Sequence, residues 1–433
     1  RKISGGATSN VNSGCGSPGD NVASQKLWAP QSLFYVNFGS YGYLYISNSY
    51  FIRRFYVAAG SETFQDYAGP SDDFDMRGYL DDASTPGRAL FDFPGQLTLS
   101  GSDVLMADTG SSRIRKFYGS SISTFCGTGP QGYVDGALQT ARFNQPVKAA
   151  TNEIGSLIYI LDYSNHFIRK VDVGTQTVST VGCSGLSKTY SILTGASGSV
   201  YCKWFVDLVV RADGKVWFVQ DPKHNIFELD EGGGTITKVA SQPPGCVDGP
   251  LSTTARFTSI YALFFNPRSG DTYVSDAGCR YVRVIRPNGI VLRIAGNGAA
   301  GDSKGYVDTN TNPLATPTSQ VTSPDAFAVD GSGDLLFIDF FSSNNHLRRV
   351  LVEYGYTETI IALVGGGSIP NWKAVTVIGT EGALLGSRGR IDYILPNAVA
   401  TQSLVMGNAD GKTGWLEGNG VNSLWGSITC LMS

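Results

Sequence analysis

Residues 132–184 contain four short runs of apolar and β-branched residues, separated by polar or glycine-containing turns. The runs are rich in Val, Ile, Tyr, Phe and Thr, which favour strands over helices. They are Val147–Thr151, Leu157–Leu161, Phe167–Val173 and Thr177–Gly182. Four strands with short antiparallel connections in about fifty residues are typical of one blade of a β-propeller.

The same features return in the same order along the chain. A linker of Gly, an aromatic residue, an aliphatic residue and an acid stands at Gly132-Tyr133-Val134-Asp135, at residues 78–81, 305–308 and 414–417, and more loosely at Gly245-Cys246-Val247-Asp248. An Ala-Arg-Phe element follows at 141–143 and 255–257. The second strand often ends in an aspartate, namely Asp108, Asp162, Asp221, Asp276 and Asp339. The third strand carries an arginine after an aliphatic residue, namely Arg53, Arg115, Arg169, Arg283 and Arg348.

At these residues the chain resembles the NHL-repeat β-propeller family. The Asn-His-Leu element that gives the family its name stands here as Asn345-His346-Leu347 and nearly so as Asn165-His166-Phe167. The resemblance implies a propeller fold, but no single function, because its members include receptor and scaffold modules, adhesion modules and a minority of enzymes. The amidating lyases of the family use metal-binding His and a catalytic constellation that we cannot place in this sequence, so the resemblance does not imply their activity.

We therefore predict an all-β protein, a β-propeller of four-stranded antiparallel blades. A chain of 433 residues would ordinarily suggest two or three domains, but seven blades use up its length as one closed domain. The predicted limits are an N-terminal strand segment at 1–26, the propeller at 27–410, and a C-terminal linker and first-strand-like segment at 411–433.

The two ends supply strand-like segments beyond the seven blades. Three arrangements fit: an incomplete eighth blade, terminal strands laid on a seven-bladed ring, or strand exchange with a neighbouring copy. The candidate assembly strand consists of Ile428, Thr429, Cys430 and Leu431. Because the sequence begins with Arg and no signal-peptide pattern follows, we expect a processed form or a segment of a longer chain.

Composition narrows the classes of partner. The formal net charge of −3 gives no general polycation for nucleic acid, and no apolar run approaches the ~20 residues that span a bilayer. Seven cysteines are compatible with an oxidising compartment, so we expect an extracellular or cell-surface location. Their odd number leaves at least one without an intrachain partner. Cys183 and Cys202 bracket an irregular insertion and are the candidate disulfide.

No catalytic, cofactor-binding or metal-ligating residues are predicted. The three His residues precede third strands on different blades, where repeat geometry spreads them around a ring instead of converging them on a metal. We expect each repeat aspartate to accept backbone N–H bonds in the turn after its strand, with the repeat arginines as ion-pair partners. Aromatic residues such as Trp204 and Trp217 are expected in the core between blades. The acidic loop with Asp72, Asp73 and Asp75 is a weak candidate for Ca²⁺.

The sequence thus favours a non-enzymatic extracellular structural or interaction protein with protein partners. One specific hypothesis is self-assembly into a filament or surface appendage through terminal or edge strands. A second class is a receptor-like propeller that binds a protein or glycan. An exposed aromatic patch on one face would favour this class. A third is a hydrolase or lyase at the mouth of the central channel, which would require converging acidic, His or metal-ligand residues.

Overall fold

The computed structural model describes residues 32–37, 41–47, 52–58, 63–68, 78–81, 89–101, 103–118, 121–184, 194–240, 242–301, 305–306, 319–329, 333–341, 344–351, 356–361, 372–378, 382–387, 390–394 and 403–407. Before residue 69 and after residue 350 the description is of the backbone, apart from Ile52. Several predicted features lie outside the described residues: segments 1–26 and 411–433, with Ile428, Thr429, Cys430 and Leu431, and the acidic residues Asp72, Asp73 and Asp75.

The described strands form seven antiparallel sheets, each made of strands that follow one another in sequence. Three sheets have four strands each. They are blade 1, with β1 (Ser32–Asn37), β2 (Tyr41–Ser47), β3 (Ile52–Ala58) and β4 (Thr63–Ala68); blade 2, with β5 (Pro94–Ser100), β6 (Asp103–Asp108), β7 (Arg113–Tyr118) and β8 (Ser121–Cys126); and blade 7, with β29 (Trp372–Ile378), β30 (Gly382–Ser387), β31 (Arg390–Ile394) and β32 (Ser403–Gly407).

The other four sheets have a fifth strand of two residues. They are blade 3, with β9 (Gly136–Ala137), β10 (Pro146–Thr151), β11 (Leu157–Asp162), β12 (Phe167–Asp172) and β13 (Thr177–Gly182); blade 4, with β14 (Gly195–Ala196), β15 (Phe205–Val210), β16 (Val216–Gln220), β17 (Ile226–Asp230) and β18 (Thr235–Ala240); blade 5, with β19 (Gly249–Pro250), β20 (Ile260–Phe265), β21 (Thr272–Asp276), β22 (Tyr281–Ile285) and β23 (Ile290–Ala295); and blade 6, with β24 (Gly305–Tyr306), β25 (Pro324–Val329), β26 (Leu335–Phe341), β27 (Asn344–Leu351) and β28 (Tyr356–Ile361).

The sheets follow one another around a ring. The innermost strands β1, β5, β10, β15, β20, β25 and β29 contact their neighbours in this order, and β29 contacts β1. The fold is therefore the predicted all-β propeller. The choice between seven and eight blades and the predicted domain limits stay predictions, because both terminal segments lie outside the described residues.

The hydrophobic core lies between neighbouring blades. Leu105 and Ile114 of blade 2 pack in one buried cluster with Ile158, Ile160 and Val171 of blade 3. A second strand that is covered on both faces has no reason to alternate apolar and polar residues. This explains the continuous apolar runs of β6, β11 and β16, in which nearly every residue is buried.

Strand direction divides the loops between two faces of the ring. Because the four main strands of a blade alternate in direction, each linker into a first strand shares one face with the turn between the second and third strands. We call this the linker face. The turns between first and second and between third and fourth strands lie on the opposite face. The helices of the described residues are two 3₁₀ turns, Tyr163–Asn165 and Ser197–Ser199, and neither could cross a membrane.

One buried arginine holds each typical blade together at the linker face. In blade 3, Arg169 is fully buried; its Nη1 donates to the Arg142 carbonyl at 2.9 Å and to Asp162 Oδ2 at 3.0 Å. Its Nη2 donates to the Val134 carbonyl at 2.9 Å and to Asp135 Oδ1 at 2.6 Å. One side chain therefore joins the linker, the approach to the first strand and the end of the second strand.

The arrangement recurs wherever the motif is intact and described. Arg115 binds Asp108 and the linker acid Asp81, and Arg283 binds Asp276 and the linker acid Asp248. In blade 6, Arg348 binds Asp339 at 3.1 Å. Among these blades the guanidinium also lies against an aromatic ring, as Arg169 does 5.1 Å from the centroid of Phe143. Arg53 lies in β3 at the matching register position, and its side chain lies outside the described set.

The repeat aspartates accept backbone N–H bonds, but from a different segment than predicted. Asp162 Oδ1 accepts from the Asn144 N–H at 2.7 Å, and Asp108 Oδ1 accepts from the Asp92 N–H at 2.8 Å. Both donors precede the first strand of the blade, whereas the prediction placed them in the turn after the second strand. The carboxylate therefore fixes a contact across the sheet, because the start of the first strand is paired with the end of the second.

The prediction that Asp221 occupies the repeat position is wrong. In blade 4 the register pairs Phe205 with Gln220, as it pairs Pro146 with Asp162 in blade 3, so Gln220 takes the place of the aspartate. Gln220 is fully buried, and its Oε1 accepts the Lys203 N–H at 2.7 Å. Asp221 is one residue further on, partly exposed, with its Oδ2 3.8 Å from Lys203 Nζ.

Blade 4 lacks all three members of the ionic network. By register, Phe227 stands where Arg169 stands in blade 3, and Thr194 stands where the linker acid Asp135 stands. The ring of Phe227 instead stacks on Phe218, with centroids 5.3 Å apart. A lone buried ion is costly, whereas a neutral set of similar volume is tolerated, which accounts for neutral residues at all three positions.

Blade 4 therefore supplies a design for testing the network in blade 3. We expect Arg169→Phe alone to lower the free energy of unfolding by about 3–5 kcal/mol, because it leaves Asp162 buried without its partner. Adding Asp162→Gln and Asp135→Thr should restore much of this loss, with a coupling of ~1 kcal/mol or more. Denaturant midpoints of the single, double and triple variants measure both quantities.

The matched control is Lys116→Ala, which removes a partly exposed ion pair with Asp103 in the neighbouring blade. This substitution should lower the free energy of unfolding by less than about 1 kcal/mol. Equal losses for Lys116→Ala and Arg169→Phe, or additive effects of the three blade 3 substitutions, would contradict the account of a coupled buried network.

The buried carboxylate of blade 3 gives the network an unusual pH dependence. Burial raises the pKa of Asp162 from its ordinary 3.8 to about 6, against the opposing effects of the Asn144 N–H, Asn165 and Arg169. When Asp162 is protonated, the guanidinium of Arg169 still has a negatively charged partner, because Asp135 also binds it. The folded state thus takes up a proton between pH 6 and 3.8 that the unfolded state does not.

This uptake stabilises the folded state most below pH 3.8, and the contribution is lost as the pH rises through about 6. We therefore expect the destabilisation caused by Asp162→Asn to grow as the pH falls from 7 to 4. Denaturant titrations of the native and variant proteins at several pH values measure this difference. An ion pair that depressed the pKa of Asp162 would give the opposite trend, and a cost that shrinks toward pH 4 would reject our assignment.

Candidate functional site on the linker face

The linker face of blade 4 differs from that of its neighbours. The segment before its first strand is held by a disulfide between Cys183 and Cys202, the pair predicted from sequence, with Cα atoms 5.5 Å apart. By register, Tyr201 and Cys202 stand where Arg142 and Phe143 stand in blade 3. Departures from a repeat that leave the fold intact are where function is to be sought.

Trp204 is the most prominent departure, because it is exposed where core packing was predicted. The residue is 55% exposed, whereas Trp217 in β16 is buried. The backbone of Trp204 is left-handed, with φ of 44°. Phe93 and Gln145 precede the first strands of blades 2 and 3 in the same conformation, with φ of 52° and 55°. The sharp entry into the first strand turns these side chains outward.

This conformation is unfavourable for a bulky side chain and costs on the order of 1–3 kcal/mol. Trp204 nevertheless adopts it and gains little burial in return. The Trp204 carbonyl accepts the Asp221 N–H at 3.3 Å, so the strained residue is fixed by the neighbouring turn. A large aromatic ring is therefore held at the surface by its backbone and not by burial of its side chain.

The turn after β16 connects Trp204 to the next blade. The Lys223 carbonyl accepts the Ile260 N–H at 2.7 Å, and Ile260 precedes the exposed Tyr261. Asp221 and Lys223 are two residues apart, so extended chain separates them by at most about 7 Å. Trp204 and Tyr261 thus flank one short turn on blades 4 and 5.

Each of these rings has a lysine beside it. Lys203 Nζ lies 4.6 Å from the ring centroid of Trp204, and Lys223 Nζ lies 4.0 Å from that of Tyr261. An ammonium group at these distances is attracted to the negative face of the ring, which restricts the flexible lysine side chain. The site therefore pairs flat apolar surfaces with positive charges at defined places.

Further aromatic residues extend the surface toward blade 3. Tyr201 lies against His166, with ring centroids 6.2 Å apart, and the half-exposed Tyr133 stacks on Phe167 at 4.4 Å. We call Tyr133, Tyr201, Trp204 and Tyr261 the aromatic band. It runs along the linker face from blade 3 to blade 5.

Two of the three His residues lie in turns beside the band. Burial lowers the pKa of His166, and it also lowers that of His224, where Lys238 adds to the effect and Asp221 opposes it. Both imidazoles are therefore neutral at pH 7. Within the described residues, no three His, Cys, Asp or Glu side chains are placed to hold a metal ion. The side chain of His346 lies outside the described set.

A second disulfide was missed in the sequence. Cys246 and Cys279 are joined in blade 5, with Cα atoms 5.6 Å apart. Cys246 occupies the aromatic position of the linker motif, and Cys279 follows Asp276 by three residues, as Asn165 follows Asp162. In blade 3, Asn165 Nδ2 donates to the Gly132 carbonyl at 2.7 Å, so the covalent bond replaces a polar contact between the same two segments. Cys126 is buried and free, and Cys15 and Cys430 lie outside the described residues.

Comparisons with known proteins support the fold. No family model matches the chain. It is 31% identical over 150 residues to NHL repeat-containing protein 2 from Bos taurus, a match that covers 32% of this chain and 20% of that protein. It is 26% identical over 163 residues to Protein SUPPRESSOR OF QUENCHING 1, chloroplastic, from Arabidopsis thaliana, covering 36% of this chain and 15% of that protein. The chain thus spans a small part of the length of the curated relatives it matches.

A solved structure agrees over more of the chain. Virginiamycin B lyase from Staphylococcus aureus superposes with a TM-score of 0.51 at 13% identity, covering 86% of this chain and 98% of that one. A likeness at this identity concerns the fold and not the reaction. The repeated motifs, the partial sequence matches and the fold together support an NHL-repeat β-propeller.

Proposed function

We propose that this protein is a non-enzymatic interaction module that acts outside the cell and binds its partner on the linker face. The observation that carries the proposal is the exposure of Trp204 and Tyr261, at 55% and 44%, on one face and around one turn. Exposed aromatic rings offer large rigid contact areas at a small loss of side-chain entropy. An aromatic patch of this kind was the feature expected of a receptor-like propeller.

The two disulfides support a location outside the cell. Disulfides persist in oxidising compartments and are rare in the cytosol. Here one of them fixes the segment that leads to Trp204, and the other fixes the linker of the blade that carries Tyr261. The crosslinks therefore stabilise the proposed binding surface itself.

The alternative of a hydrolase or lyase expects acidic, His or metal-ligating residues that converge on one channel mouth. At the aromatic band the converging groups are rings and lysine ammonium groups, which suit binding better than acid–base chemistry. Self-assembly through the candidate strand Ile428, Thr429, Cys430 and Leu431 stays a separate prediction. A Ca²⁺ site near Asp72, Asp73 and Asp75 likewise stays a prediction.

A panel of immobilised extracellular proteins and glycans tests the proposal. The native protein should bind at least one class of ligand, and the Trp204→Ala, Tyr261→Ala double variant should bind it at least about tenfold more weakly. Both residues are exposed, at 55% and 44%, so the variant should keep its unfolding midpoint.

The matched control is Ile154→Ala, which removes an apolar side chain that is 76% exposed on the opposite face. It should bind as the native protein does. Full binding by the double variant would exclude the aromatic band as the site, and equal losses in the control would point to a general effect of surface substitutions.

A further inference from the structure

The chemistry of the aromatic band identifies the kind of ligand it fits. Two exposed rings, Trp204 and Tyr261, each have an ammonium group within 5 Å of the ring centroid, at 4.6 and 4.0 Å. A ring alone would offer an apolar platform, and a lysine alone would offer a mobile charge. Paired in this way, they match a ligand whose rigid apolar face and negative charge lie side by side.

The local charge around the turn is positive although the whole chain carries a formal charge of −3. Lys203, Lys223 and Lys238 surround a turn in which the acidic residue is Asp221, and the neutral His224 lies between them. Among the described residues no carboxylate lies within 4.0 Å of Lys223 Nζ, so its described contact is the ring of Tyr261. A ligand carboxylate can therefore approach Lys223 without displacing a carboxylate of these residues.

The aromatic band extends over three blades, from blade 3 to blade 5. Trp204 and Tyr261 are tied to opposite ends of the turn from Asp221 to Lys223, and the band continues past Tyr201 to Tyr133 on blade 3. Both disulfides anchor this surface, so it is preformed and its ordering does not reduce affinity. An extended oligomer contacts such a band over more than one ring, whereas a single small molecule contacts one.

We propose, building on the binding role proposed above, that the aromatic band binds an oligosaccharide that contains uronic acids. The flat C–H face of a pyranose ring stacks on Trp or Tyr, and the carboxylate at C5 of the same sugar reaches the adjacent ammonium. Acidic peptides carry carboxylates on flexible side chains and lack the rigid apolar face. Nucleic acid would place a row of phosphates along the surface. Three lysines and one aspartate around a single turn would neutralise few of these phosphates.

Calorimetric titration with defined oligosaccharides tests the inference. The galacturonate tetramer and a glucuronate-containing hyaluronan tetramer are the acidic probes, and the fully methyl-esterified galacturonate tetramer is the neutral control. We expect at least one acidic probe to bind, more weakly at higher salt, and the methyl ester to bind at least about tenfold more weakly.

Variants separate the two parts of the site. Lys223→Gln should weaken binding of the acidic probe about tenfold and leave the methyl ester unaffected, whereas Trp204→Ala should weaken both. Lys215→Gln removes a lysine at the start of β16, on the opposite face, and is the matched control for net charge. It should bind as the native protein does.

Four outcomes would overturn the inference. Equal affinity for the ester and the acid would make the band a site for neutral sugars. Tighter binding of a glutamate oligopeptide, or of a uridylate oligonucleotide of the same charge, with the same dependence on Lys223 would assign another class of partner. Absence of binding by both acidic probes would reject uronic acids as the ligand. The proposed binding role would survive this result if the panel had found another ligand whose binding the double variant loses. If the panel had found none, the proposed binding role would fail as well.

Discussion

In blades 2, 3, 5 and 6 a guanidinium is placed where water cannot reach it, and the segments around it must be arranged to bind it. A fully buried arginine must bond to protein groups at nearly every donor, because an unmatched buried donor is costly. Arg169 meets this demand with two backbone carbonyls and two carboxylates from three separate segments. Each segment is thereby fixed relative to the third strand. The hydrophobic contacts between blades set the overall packing, and in blades 2, 3 and 5 the arginine sets how the linker crosses its blade.

Much of this fold could be predicted from the sequence because the same residue types recur at matching positions of successive blades. The aspartate and the arginine recur on neighbouring strands, seven residues apart in blades 2, 3 and 5 and nine apart in blade 6. The role of Asp135 could not be predicted in the same way, because it lies 34 residues before Arg169 and meets it through the folded linker. The error at Asp221 came from matching the residue type instead of the register. The absence of an arginine in β17 was the available signal that blade 4 has no such pair.

The site was harder to predict than the fold. Trp204 belongs by composition to the core, and its exposure follows from a left-handed backbone at the entry to β15. Strand propensities contain no information on that conformation for a tryptophan. The Cys246–Cys279 disulfide was accessible in principle, since a cysteine stands in the aromatic position of a linker motif and another stands where blade 3 has Asn165. The proximity of those two positions becomes apparent once blade 3 shows them in contact.

The two-residue strand β9 determines what counts as one module of this protein. It pairs with β13 on the outer edge of the blade that follows it, and the acid just before it binds the arginine of that same blade. A linker therefore belongs to the blade it leads into and not to the blade it leaves. In blade 3, a segment that runs from one linker glycine to the next carries every described hydrogen bond of its buried arginine, so duplication or grafting of a blade has its natural boundaries at those glycines. A cut at the first strand instead would separate Arg115, Arg169 and Arg283 from their linker carboxylates.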